Sequence, residues 1–149
     1  HITLLKIPNR VRTLAISVFY GSQGFDGSLI IPDSVYSIDM YCFFNCTSLS
    51  GQLILPNNMT LIEQHVFENC HSFSGLLTIL DRSQQLMNIL SGDLIFNNSV
   101  TSVGESSFRN CYGFKGTIKL MNSIRGIEKY AFYKCYGFSG TLTLSQNLQ

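Results

Sequence analysis

The chain repeats itself every 24 residues. Gly27 opens GSLIIPDSVYSIDMYCFFNCTSLS, and Gly51 opens GQLILPNNMTLIEQHVFENCHSFS. Gly92 opens GDLIFNNSVTSVGESSFRNCYGFK, Gly116 opens GTIKLMNSIRGIEKYAFYKCYGFS, and a copy from Thr3, TLLKIPNRVRTLAISVFYGSQGFD, aligns with them without a gap. A fixed period of this length predicts a stacked solenoid, in which each repeat is one coil that buries its apolar face against its neighbours. The full coils span 3–26, 27–50, 51–74, 92–115 and 116–139. A short coil covers 75–91, and partial copies lie at 1–2 and 140–149. The whole is one solenoid over 1–149.

Counting the opening residue as slot 0, slots 2 and 4 are apolar in every full copy: Leu5 and Ile7, Leu29 and Ile31, Leu53 and Leu55, Leu94 and Phe96, Ile118 and Leu120. This is the alternation of a β-strand with one buried face. Stacking aligns such strands into a parallel sheet, about 4.8 Å apart. Slot 5 is Pro8, Pro32 and Pro56 in the early copies, and proline ends a strand because it cannot donate to the ladder. Slots 8 and 11 hold a second apolar pair, Val35 and Ile38 for example, whose spacing suits a turn, a 3₁₀ segment or a bent strand. Slot 16 is always Phe (Phe19, Phe43, Phe67, Phe108, Phe132), and slot 22 is Phe or Leu. One helical turn is expected over slots 16–19. The predicted fold is therefore a mainly β, right-handed repeat solenoid. A parallel sheet forms one face, and short turns or 3₁₀/helical segments form the other.

Slot 19 is Cys46, Cys70, Cys111 and Cys135. Two readings are open, a buried ladder of reduced thiols and a disulfide framework. Cys42 falls outside the ladder and is expected to be the exposed, reactive thiol. No second close pair joins Cys42 and Cys46 to complete a zinc site, and His65 and His71 are expected at the surface of one coil. From Gly75 to Ser91 the period fails: Leu77 and Ile79 keep the strand slots, the Phe–Cys–Phe segment is missing, and Leu86, Met87, Ile89 and Leu90 are expected to fill the core. Such a coil is either a tolerated short repeat or the source of a bend or groove. The chain has no initiator Met, no signal segment and no polar caps, which leads us to expect a piece of a longer array whose targeting signals lie elsewhere.

The net charge of +1 makes no electrostatic case for nucleic acid. The late cations Arg109, Lys115, Lys119, Arg125, Lys129 and Lys134 fall on different slots and make no single stripe. No apolar run reaches the roughly 20 residues of a membrane span. Asp39, Glu63 and Glu128 share slot 12 and could line up as a loose acidic column, as a polysaccharide-cleaving β-solenoid would need. A polar slot after a buried one explains them equally well. No phosphate loop, nucleophile elbow or paired-His motif is present, and the reading is of a non-enzymatic module without cofactor or metal. Asn45-Cys-Thr47, Asn58-Met-Thr60 and Asn97-Asn-Ser99 are candidate glycosylation sequons.

Slots 1, 3 and 5 should point away from the core. Slot 3 reads Lys6, Ile30, Ile54, Thr78, Ile95, Lys119, Thr143. Isoleucine on a solvent face either reflects strand propensity or marks an interaction site. The candidate partner-binding stripe is Ile30, Ile54, Thr78, Ile95 and Lys119, flanked by Ser28, Gln52, Asp93 and Thr117. Tyr112, Tyr133 and Tyr136 on the opposite side come next.

The segments IPDSVYSIDMYCFFNCTSLSG, NSVTSVGESSFRNCYGFKG and IRGIEKYAFYKCYGFSG resemble the BspA-type leucine-rich repeat, whose pattern is roughly IPxSVTSIGxxAFxxCxxL. The resemblance covers all but the short coil, and Asn97 and Met121 depart from it where proline is usual. It implies a leucine-rich-repeat stack. It also implies a surface or secreted protein of mucosal bacteria or parasitic protists that adheres to a protein ligand, such as host extracellular matrix, or that self-associates. Two other classes stand beside it: an intracellular interaction scaffold of the same fold, and a polysaccharide-acting enzyme.

Overall fold

The computed structural model describes residues 4–74, 77–79, 94–95 and 99–149. The predicted strand slots form one parallel sheet. It contains β2 (Gly27–Ile30), β4 (Leu49–Leu55), β6 (Leu77–Ile79), β7 (Leu94–Ile95), β9 (Gly116–Lys119) and β11 (Phe138–Thr143), side by side in chain order. Inward-pointing Leu29, Leu53 and Leu55 are buried. Strand β4 stops at Leu55, directly before Pro56. The second apolar pair, left open by the sequence, belongs to two-residue strands: β1 (Thr13–Leu14), β3 (Ser37–Ile38), β5 (Leu61–Ile62), β8 (Ser102–Val103) and β10 (Gly126–Ile127). These pair in parallel as β1–β3 and β5–β8–β10.

The side opposite the sheet differs from expectation. The described residues contain no helix there. Slots 14 and 18 instead sit in the left-handed region in every described coil, at φ between 53° and 64°: Ser17, Tyr41, His65, Ser106 and Tyr130, then Gly21, Asn45, Asn69, Asn110 and Lys134. Such residues prevent a right-handed helix from propagating. They let successive N–H groups alternate in direction. Cys42, Phe44 and Cys46 donate within their own coil, to Asp39, Tyr41 and Phe43, while Tyr41, Phe43 and Asn45 donate to Gln64, Val66 and Glu68 of the next. The turn face thus satisfies its backbone both locally and along the stack, which a helical turn could not do.

The phenylalanines of slot 16 stack face to face as one column. Ring centroids are 5.1 Å apart for Phe19–Phe43 and 5.6 Å for Phe43–Phe67, Phe67–Phe108 and Phe108–Phe132. The column passes straight from Phe67 to Phe108, as do the N–H bonds of His65, Phe67 and Asn69 to Glu105, Ser107 and Arg109. On the sheet side, by contrast, β6 stands between β4 and β7. Residues 77–79 therefore add a strand to the sheet, whereas the turn-face column runs directly from Phe67 to Phe108. The expected core role of Leu86, Met87, Ile89 and Leu90 lies outside the described residues.

Cys42 is a correction. It occupies slot 15 with Val66, Ser107 and Ala131, all buried, and is itself fully buried rather than exposed. Burial, with Cys46 and Asp39 beside it, pushes its thiol up to about 12. All five cysteines are free, which settles the ladder reading against the framework. Each slot-19 thiol donates to the slot-16 carbonyl of the preceding coil at 3.0 Å: Cys46 to Phe19, Cys70 to Phe43, Cys111 to Phe67, Cys135 to Phe108. The two histidines are half-buried and engaged. His65 stacks on Tyr41 at 4.6 Å and its Nδ1 lies 2.6 Å from Glu68, while His71 stacks on Tyr112 at 5.0 Å.

Candidate functional site

Strand register brings the slot-3 residues into one row. Lys6 pairs with Ile30, Ile30 with Ile54, Ile54 with Thr78, Thr78 with Ile95, Ile95 with Lys119, and Lys119 with Thr143. Parallel pairing without slippage at this slot explains why a period read along the chain becomes a stripe across the sheet. Ile30 is 56% exposed although its neighbours Leu29 and Ile31 are buried. Ile54 is partly covered, and Lys119 is exposed. On the flank, Gln52 is exposed while Ser28 and Thr117 are partly covered, and the Gln52 N–H donates to Ser28 Oγ at 3.0 Å. Asp93 lies outside the described residues.

The acidic slot-12 column is interrupted. Gly104 stands between Glu63 and Glu128, and a Cβ there would meet the Ile62 carbonyl oxygen at 2.5 Å and Gln64 N at 2.9 Å. The coils approach too closely at this point for any side chain. Among the described residues no three His, Cys, Asp or Glu are grouped to hold a metal ion, and no helix is long and apolar enough to cross a membrane. Of the sequon asparagines, Asn58 is exposed and lines a shallow cleft with Asp33, Asn57 and Ser99. Asn45 is partly buried in a left-handed conformation, and Thr47 of its sequon donates to Gln23 Oε1 at 2.6 Å. Asn97 lies outside the described residues.

Slots 14, 17 and 20 form three columns on the turn face that sequence reading did not connect. Six of the seven tyrosines occupy them: Tyr20, Tyr41, Tyr112, Tyr130, Tyr133 and Tyr136. Tyr20 stacks on Phe44 at 4.9 Å, as Tyr41 does on His65 and His71 on Tyr112. Three of the six late cations, scattered by slot, converge here. The Arg109 guanidinium lies 5.8 Å from the Tyr130 ring centre and 5.5 Å from that of Tyr133, Lys129 sits over Tyr130 at 4.6 Å, and Lys134 over Tyr133 at 5.5 Å. Arg109 also approaches buried Glu68 at 3.6 Å. The signal that could have found this face is the three-residue spacing of Tyr130, Tyr133 and Tyr136.

Two solved structures share the fold. A leucine-rich repeat protein of T. pallidum is 27% identical, with a TM-score of 0.64 over 91% of this chain and 64% of that one. A leucine-rich cell surface protein of Faecalibacterium prausnitzii A2-165 is 23% identical, with a TM-score of 0.60 over 93% of this chain and 38% of that one. The chain thus spans less than two thirds of either protein's length. No curated protein matches it. The model of the BspA-type leucine-rich repeat region matches residues 1–89 and 82–149. With that match over its length and with its stacked, thiol-laddered coils, the chain belongs to the BspA-type leucine-rich repeat family.

Proposed function

We propose that this chain is a non-enzymatic protein-binding module of a cell-surface or secreted adhesion protein, and that it binds its protein ligand through the stripe Ile30, Ile54, Thr78, Ile95 and Lys119. The observation that carries the reading is the exposure of Ile30 in a row where register sets it beside Ile54. The fold needs no apolar side chain on the solvent side of this sheet, and an apolar centre with polar Gln52 and Lys119 near it has the make-up of an ordinary interface. Family membership supports adhesion to a matrix protein or to another cell as the setting. In a secretory route Asn58 is, among the described residues, the sequon asparagine exposed for a glycan.

The test is the double substitution Ile30→Ser with Ile54→Ser, assayed for folding by circular dichroism and for binding to surfaces coated with matrix proteins. The expected result is an unchanged fold with binding reduced about tenfold or more, the scale of losing two centrally placed contacts. Lost folding would make these residues core. Unchanged binding would move the site to the turn face, at Tyr112, Tyr133 and Tyr136.

A further inference from the structure

The charges of this chain are segregated along the stack. Residues 13–79 contain Asp26, Asp33, Asp39, Glu63 and Glu68 and no Lys or Arg. Residues 94–149 contain six cations against Glu105 and Glu128. Within that half, the stretches 106–114 and 130–137, on the turn face of two successive coils, hold Arg109 and Lys134 and no carboxylate, and Lys129 lies over the Tyr130 ring. Glu68, 3.6 Å from Arg109, is buried and engaged with His65, and Glu105 and Glu128 border the two stretches. The same two stretches expose Tyr112, Tyr130, Tyr133 and Tyr136, the last at 75%. Four exposed tyrosine rings and the cations Arg109, Lys129 and Lys134 thus meet on one face of this half of the stack.

We propose that the turn face of residues 106–139 binds an acidic polysaccharide, a chain carrying sulfate and carboxylate groups on successive sugars. Three features favour that ligand. The cations supply the charge complement, and they steer a polyanion to this end of the stack. Tyrosine presents an apolar ring to the carbon face of a sugar together with a hydroxyl for its polar edge. Cation–π contacts to Tyr130 and Tyr133 hold these rings in place before binding, which lowers the ordering cost. The repeat of the site also fits a polymer. Slot 20 recurs as Tyr112 and Tyr136 and slot 17 as Arg109 and Tyr133, one set per coil. Parallel pairing sets coils about 4.8 Å apart, close to the length of one pyranose unit. A folded acidic protein would have no reason to match that repeat. This face is separate from the sheet stripe, and the proposal does not depend on it.

The experiment is titration of the chain with heparin, by calorimetry and by elution from a heparin column, beside three variants. Lys129→Glu with Lys134→Glu should weaken heparin binding at least tenfold. Tyr112→Ala with Tyr136→Ala should weaken it several-fold at every salt concentration. Lys6→Glu with Arg10→Glu, at the far end of the stack, should leave it within twofold of the parent. Equal loss in the Lys6/Arg10 variant would overturn the proposal, because attraction would then be diffuse. So would competition by poly-glutamate as effective as by heparin, which would assign the face to an acidic protein segment, and so would absence of heparin binding at low salt. Should the Lys129/Lys134 variant fail to fold, the tyrosine variant and the poly-glutamate competition decide. The Ile30→Ser, Ile54→Ser chain should keep full heparin affinity, so failure here and failure of the adhesion stripe are separate results.

Discussion

The thiol sulfur of Cys111 lies 3.0 Å from the carbonyl oxygen of Phe67, and the two residues are 44 positions apart in the chain. The same oxygen accepts the backbone N–H of Cys70 at 3.1 Å. Both lone pairs of one buried carbonyl are thus used, one inside its coil and one by the next. A sulfhydryl is the right donor: it is small and apolar enough for the core, yet it supplies the bond that a buried carbonyl requires. Here the bond joins coils 51–74 and 92–115 directly on the turn face.

Phe67→Ala should cost about 3–5 kcal/mol. Phe67 is fully buried and stacked on both Phe43 and Phe108, so the cavity would open in the middle of the column, at the junction with least support. Thermal or urea unfolding checks this, and an unchanged midpoint would contradict the column as the source of stability.

Cys42, Cys70 and Cys111 should resist alkylation at neutral pH in the folded chain, and half-buried Cys135 should react first. Burial pushes the thiols of Cys42 and Cys135 up to about 12 and those of Cys70 and Cys111 well above the ordinary range. In the unfolded chain a thiol ionises near 8.5. Below that pH both states hold the proton and stability is flat. Above it the unfolded chain releases a proton that the folded chain keeps, so stability falls as pH rises toward about 12, by up to about 1.4 kcal/mol per pH unit for each such thiol. Urea midpoints at pH 8 and pH 10 measure the slope, and Cys42→Ala should reduce it.

Lys134→Gly should stabilise the chain by about 0.5–1 kcal/mol and Lys134→Val should destabilise it by about 1–2 kcal/mol, because Lys134 is held at φ 58° in the left-handed region. Two melting curves suffice. A helical turn at this slot would give the opposite order, since glycine is the poorer helix former.

Gly104→Glu matches the acids Asp39, Glu63 and Glu128 at the same slot yet should destabilise by about 1–3 kcal/mol, the range for forcing atoms into filled space. The new Cβ would meet the carbonyl of Ile62. Glu128→Gly, at the same slot of the next coil but exposed, should change stability far less.

Local pattern determined a good deal of this protein. Alternation at slots 2 and 4 placed the sheet, and the invariant phenylalanine placed the column, because a periodic stack turns equal sequence positions into neighbours in space. The recurring cysteine marked a ladder for the same reason, although sequence alone left open whether its sulfurs were bonded to each other. What the tertiary structure decided depends on relations between coils. Slot 18, with Gly21, Asn45, Asn69 and Asn110, carries the residue types that favour a left-handed backbone, but Tyr41 at slot 14 carries no such mark until the next coil's carbonyl is there to accept its N–H. Cys42 looked irregular because it breaks the cysteine period, but its slot is defined by burial beside Val66 rather than by chemistry. Arg109, Lys129 and Lys134 occupy three different slots and meet only because side chains reach across coils to shared tyrosine rings. The direct passage from Phe67 to Phe108 was hidden for a like reason: a chain adds strand and turn in sequence, whereas packing free energy is gained wherever rings meet face to face.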